Sequence, residues 1–174
     1  VGALRWHAPH PVEAWSVERP AQSFAPACMQ TRSIVDWYGD IAEAFGQSRA
    51  VAPEPEGVSE DCLYLNVWTP DLSPDEPAPV MVYIHGGSYT GGWSYEPNYH
   101  GDAFADQGIV LVSIAYRLGA FGYIAPDTDN ATANAGLLDQ IAALEWVQAN
   151  IGRFGGDSDQ VTIFGESAGA AAVG

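Results

Sequence analysis

Residues 160–174 read QVTIFGESAGAAAVG, and the order of residue types in that stretch decides the fold. Val161, Ile163 and Phe164 form a β-branched and aromatic run suited to a strand, and Ala168 to Ala172 open a helix of small residues. Between them lies a G-x-S-x-G turn. A serine held on so sharp a strand-to-helix bend needs neighbours without bulky side chains, and Gly165 and Gly169 supply them. The pattern predicts a nucleophile elbow with Ser167 at its tip. The N–H of Ala168, at the positive end of the following helix, then points to where negative charge on an oxygen would develop.

Upstream, Val80 to Ile84 (VMVYI) is an almost unbroken apolar run ending at His85-Gly86-Gly87, as expected of a strand buried on both faces. Ile109 to Ala115 (IVLVSIA) is a second such run, and Cys62 to Thr69 (CLYLNVWT), closed by Pro70, predicts a strand before both. Gly101 to Gln107 reads as a short helix. Asn134 is placed to cap a longer one reaching about Ile151, with Leu137, Leu138, Ile141, Leu144, Val147 and Ile151 as its apolar stripe. Gly152, Gly155 and Gly156 end that helix. Residues 1–27 carry scattered Pro and Trp without a period and read as an irregular covering segment.

Apolar strands alternating with helices define an α/β class with a mostly parallel central sheet and flanking helices. Sites in that architecture lie at the carboxyl ends of strands, so the turn His85-Gly86-Gly87-Ser88 and the Ser167 elbow are expected to face one crevice. No internal repeat or linker divides residues 1–174.

Bulk composition removes several function classes. A formal charge of −16 without a single lysine repels phosphate backbones, which argues against nucleic acid as a partner. No apolar run approaches the roughly 18 residues of a membrane span. The glycine pairs lack the Gly-Lys-Ser/Thr ending of a phosphate cradle, and neither cysteine has a metal-ligand spacing, so no cofactor and no metal are expected. Cys28 and Cys62 read equally as one disulfide or as two free thiols. Asn130-Ala131-Thr132 matches a glycosylation acceptor of a kind that arises often by chance.

Acyl transfer requires a nucleophile, a base to take its proton and donors to hold the oxyanion. Ser167 is the candidate nucleophile, and the backbone N–H groups of Gly87, Ser88 and Ala168 are the candidate donors. Glu166 can hold charge or a water beside the serine, or stand as a solvated turn residue, and Gly86 backs the donors. No base is evident, because His7, His10, His85 and His100 all precede Ser167, whereas this kind of elbow takes its partners in the order Ser, acid, His. His85, at the end of a buried strand, is expected to orient the glycine turn by a hydrogen bond.

The segments SEDCLYLNVWTP (59–70), PVMVYIHGGSYTGG (79–92), SIAYRLGAFGY (113–123), NAGLLDQIAALEWVQANIGRFGGD (134–157) and VTIFGESAGA (161–170) together resemble the type-B carboxylesterase and cholinesterase family. The resemblance runs over nearly the whole chain and implies an α/β-hydrolase fold, truncated at both ends, that hydrolyses small carboxylic esters through an acyl-enzyme on Ser167. It also implies a disulfide between Cys28 and Cys62, hence an extracytoplasmic setting, and structural ion pairs Arg5 with Glu60 and Arg117 with Asp139. Ser88 stands where many members have a third glycine. Ala52 falls where cholinesterases carry an aromatic for quaternary ammonium, which argues against choline esters. The family's acid, histidine and remaining strands lie past the elbow, so residues 1–174 alone are expected to be inactive, with a hydrophobic edge at Val161 to Phe164. The contrasting expectation is a non-catalytic, neuroligin-like adhesion module of the same fold, whose relatives lack the elbow serine.

Overall fold

The computed structural model describes residues 2–31, 33–127 and 131–174, so Asn130 of the acceptor triplet lies outside the described residues. Its centre is a four-stranded sheet of β3 (Leu65–Trp68), β4 (Ala78–Ile84), β5 (Val110–Ile114) and β6 (Gly156–Gly165), in the order β3-β5-β4-β6. β4 runs parallel to β5 on one side and to β6 on the other, while β3 pairs antiparallel with β5. β1 (Ala27–Cys28) and β2 (Val58–Ser59) form a separate parallel pair.

The chain leaves β4, moves outward to β5, then returns across β4 to build β6. That reversal opens a crevice at the carboxyl ends of β4 and β6, where the glycine turn and the elbow emerge. Register makes the adjacency tight: Ile84 stands beside Gly165, the last residue of β6. The core follows from the apolar runs. All five residues of β5 are at most 1% exposed, and Val110, Val112 and Ile114 join Val80, Val82, Tyr116, Leu118, Val147 and Ile151 in one buried cluster. Burying each such large apolar side chain stabilises the fold by about 1.5–3 kcal/mol.

The helices differ from their sequence signals in instructive ways. The single-turn α2 (Asp102–Ala105) is shorter than residues 101–107, and α3 (Gly119–Tyr123) had no periodic signal. α1 (Ile34–Ala44), absent from the sequence reading, is capped by Ser33, whose hydroxyl accepts the Val35 N–H at 3.1 Å. α4 (Ala135–Asn150) begins after Asn134, but Asn134 sits at φ 56° with no side-chain capping bond. In its first half the expected stripe is rotated, with Leu137 and Ile141 exposed and Asp139 and Gln140 buried, whereas its later members Val147 and Ile151 are buried as expected and Leu144 packs against the core. The cause is Arg117, which draws Asp139 inward through bonds from Nε at 2.7 Å and Nη2 at 2.6 Å. β6 starts at Gly156, earlier than expected, and only β4 pairs with it among the described residues.

Cys28 and Cys62 form a disulfide across 34 positions, closing a segment that contains α1 and β2. Arg5 is bonded to Glu60 beside it, with Nε to Oε2 at 2.9 Å. Among the described residues, no helix is long and apolar enough to cross a membrane and no acidic, histidine or cysteine cluster could hold a metal ion.

Candidate active site

β6 ends at Gly165 and α5 (Ala168–Val173) begins three residues later, so Glu166 and Ser167 make the whole bend. Ser167 occupies φ 52°, ψ −119°, a conformation that L residues avoid and that costs on the order of 1–3 kcal/mol unless the surroundings enforce it. They do so with backbone. A side chain at Gly169 would strike the Ile84 carbonyl and come within 2.9 Å of the His85 carbonyl oxygen. One at Gly165 would meet Gly169 and the Ile84 oxygen. The bend therefore rests directly on the end of β4.

The glycine turn meets it there. A Cβ at Gly86 would lie 3.0 Å from the Ser167 Cβ and 2.9 Å from the Glu166 carbonyl oxygen, and it would collide with the Glu166 carboxylate. Gly87, Ser88 and Tyr89 follow at φ 101°, 56° and 60°. The turn closes on the Gly87 carbonyl, which accepts from Thr90 at 2.9 Å and Gly91 at 3.0 Å. Ser88 thus accepts the left-handed conformation that a glycine would adopt more easily. Ala168, as the first residue of α5, has no intrahelical acceptor for its N–H.

His85 is 1% exposed, with its ring 4.5 Å from that of Tyr116, and its Nδ1–H donates to the Gly86 carbonyl at 2.8 Å. Burial lowers its pKa to about 4, so the imidazole is neutral at physiological pH. Tyr116 donates to the His85 carbonyl at 2.7 Å. Because C=O and N–H of a trans peptide point in opposite directions, holding the Gly86 oxygen toward His85 turns the Gly87 N–H the other way. His85 acts on the turn, and among the described residues no histidine is hydrogen-bonded to Ser167. His100 contacts the Tyr95 carbonyl at 3.1 Å between the rings of Phe24 and Trp68, and the His7 carbonyl accepts from Arg117 at 2.8 Å.

Ser167 and Glu166 are both exposed, and a cavity of 270 Å³ lined by Arg5, Met29, Cys62, Arg117 and Phe121 includes neither. The candidate nucleophile and the turn bearing the candidate donors thus stand together at the exposed end of the sheet. Sequence reading missed Glu96, which with Asp139 makes up the buried acidic residues among the described residues. Burial holds its carboxyl above the usual range, against the opposing bonds from Tyr38 and the Trp93 N–H. Nothing in a chain with 22 acidic residues singles it out.

A family model described as the carboxylesterase family matches residues 1–174. A fumonisin B1 esterase of Sphingopyxis macrogoltabida is 42% identical, over 100% of this chain and 31% of its own length. An acetylcholinesterase of Bungarus fasciatus is 43% identical, over 100% of this chain and 28% of its own. A solved PNB esterase superposes with a TM-score of 0.81 at 41% identity, over 97% of this chain and 33% of that structure. The chain thus spans about a third of the length of the relatives it matches.

Proposed function

This chain belongs to the carboxylesterase family, and from that premise we propose that residues 1–174 are part of one α/β-hydrolase domain whose full-length polypeptide hydrolyses carboxylic esters through an acyl-enzyme on Ser167. The supporting observation is the positive-φ serine whose Cβ packs against Gly86. In this reading the Ser167 hydroxyl attacks the ester carbonyl carbon and its proton passes to a base outside residues 1–174. The carbonyl oxygen becomes an oxyanion held by the N–H groups of Gly87, Ser88 and Ala168, and collapse expels the alcohol. Water then releases the acid by the same steps. Glu166 packs against Gly86 beside the serine, where it can hold a water in the crevice. Arg5–Glu60 and Arg117–Asp139 are scaffold.

Substrates are small esters, and the disulfide supports an extracytoplasmic setting. Residues 1–174 alone are inactive. The test is fluorophosphonate labelling of the full-length polypeptide with p-nitrophenyl ester hydrolysis in parallel. Ser167→Ala is expected to abolish the label and to lower kcat by about 10⁴-fold or more. A folded wild type that takes no label favours the neuroligin-like adhesion reading instead.

A further inference from the structure

We propose that the disulfide-closed segment 28–62 positions the oxyanion turn, with Gln30 and Glu96 as the positioning residues through which it grips; the inference rests on the hydrolase reading above. Gln30 lies two residues past Cys28. Its Nε2 donates to the carbonyls of Cys28 and Gly92, each at 3.1 Å, and its Oε1 accepts the Gly92 N–H at 3.1 Å. One side-chain amide thus holds both backbone groups of Gly92, as a neighbouring strand would.

What Gly92 touches gives the grip its meaning. Gly92 sits at φ 93°, and a Cβ there would lie 2.9 Å from the Gly86 carbonyl oxygen and 2.9 Å from His85 Nδ1. The Gly86 carbonyl and the Gly87 N–H belong to one peptide plane. Gly92 and His85 therefore pack around the oxygen of the plane whose hydrogen faces the substrate. Moving Gly92 frees that plane to tilt, and the donor it carries loses its aim.

A second strap leaves the same segment. Tyr38, on α1, donates to Glu96 Oε2 at 2.8 Å, and Glu96 Oε1 accepts the Trp93 N–H at 3.4 Å. Glu96 and Trp93 are each 3% exposed. Gln30 and Tyr38 thus hold the turn's return limb on both sides of Trp93, and the Cys28–Cys62 bond fixes the base from which they reach. Neither residue touches Ser167 or a candidate donor in any hydrogen bond described above. Their influence passes through the backbone of residues 86–93.

The test uses the full-length polypeptide with p-nitrophenyl acetate, fluorophosphonate inactivation and thermal unfolding measured on each variant. Gln30→Ala is expected to lower kcat and the inactivation rate together by about 10- to 100-fold with KM changed less than about threefold, because donor alignment matters chiefly in the transition state. Tyr38→Phe, which removes one hydroxyl, is expected to lower kcat by about 3- to 10-fold and carries the test if Gln30→Ala does not fold. Glu96→Gln, whose amide oxygen can accept from the Trp93 N–H while its NH2 donates to the Tyr38 hydroxyl, is expected to recover most of the kcat lost in Glu96→Ala. Folded variants with wild-type kcat, or losses that follow only the folded fraction, overturn the proposal alone. A wild type that neither hydrolyses nor takes the label overturns the hydrolase reading and this one with it.

Discussion

β5 and β6 flank β4 in a common register, so Val112 and Ile163 stand on either side of the same residue, Val82. They have unequal surroundings: Val112 is fully buried, while Ile163 is 36% exposed. β5 has a strand on both sides and takes its place from apolar packing. β6 has one neighbour, yet it carries the serine, and its far end is located by glycine backbone pressed against the Ile84 carbonyl. Apolar burial is greatest in one strand and the candidate site lies at the end of the other, and the two rely on different kinds of contact.

The most severe way to break this contrast is to place one charge in each strand. Val112→Asp puts an unpaired carboxylate into the core and is expected to cost more than about 4 kcal/mol, leaving the chain unfolded in a urea titration. Ile163→Asp in the same row is expected to cost about 1 kcal/mol or less. Equal losses would mean that the two strands are alike in burial.

Ion pairs sharpen the comparison at the next level. Arg117 follows β5 and binds Asp139, whose side chain is 1% exposed, whereas Arg49 reaches Asp40 and Glu43 at the surface. Arg117→Ala strands a buried carboxylate and is expected to lower stability by about 3–5 kcal/mol. Arg49→Ala is expected to leave the unfolding midpoint where it was. An unchanged midpoint for Arg117→Ala would remove the explanation offered for the rotation of α4.

A pH-dependent effect belongs to His85, which follows the strand between the two. Its folded pKa of about 4 lies below the ordinary histidine value, so the unfolded chain binds the proton more readily. Its stabilising contribution is complete above about pH 6.5 and falls by about 3 kcal/mol as pH drops toward 4. His85→Gln, which retains a donor for the Gly86 carbonyl, is expected to flatten that slope. A slope that survives the substitution would assign the acid sensitivity to other groups.

The strands of the central sheet were legible because each is an apolar run bounded by turn residues, and the elbow because strand, turn and helix signals meet at Ser167. The reversal of order that brings residues 86–88 to Ser167 follows from long-range pairing, which no local pattern records. α1 carries a helical signal that the sequence reading left unread: Ile34, Trp37, Tyr38 and Ile41 recur at helical spacing after Ser33, although Trp37 and Ile41 end up exposed. The orientation of the first half of α4 was misread because Asp139 is charged in the sequence, yet it is buried where Arg117 pairs with it. Gln30 and Glu96 were invisible as well, because their partners lie 62 residues away at Gly92 and 58 residues away at Tyr38.

The contact between the elbow and the end of β4 is main chain against main chain. Side chains lining the crevice can therefore be exchanged, by drift or by selection, without changing the span from hydroxyl to amide. A scaffold joined in this way tolerates exchange of the side chains around the bend while the bend itself keeps its place.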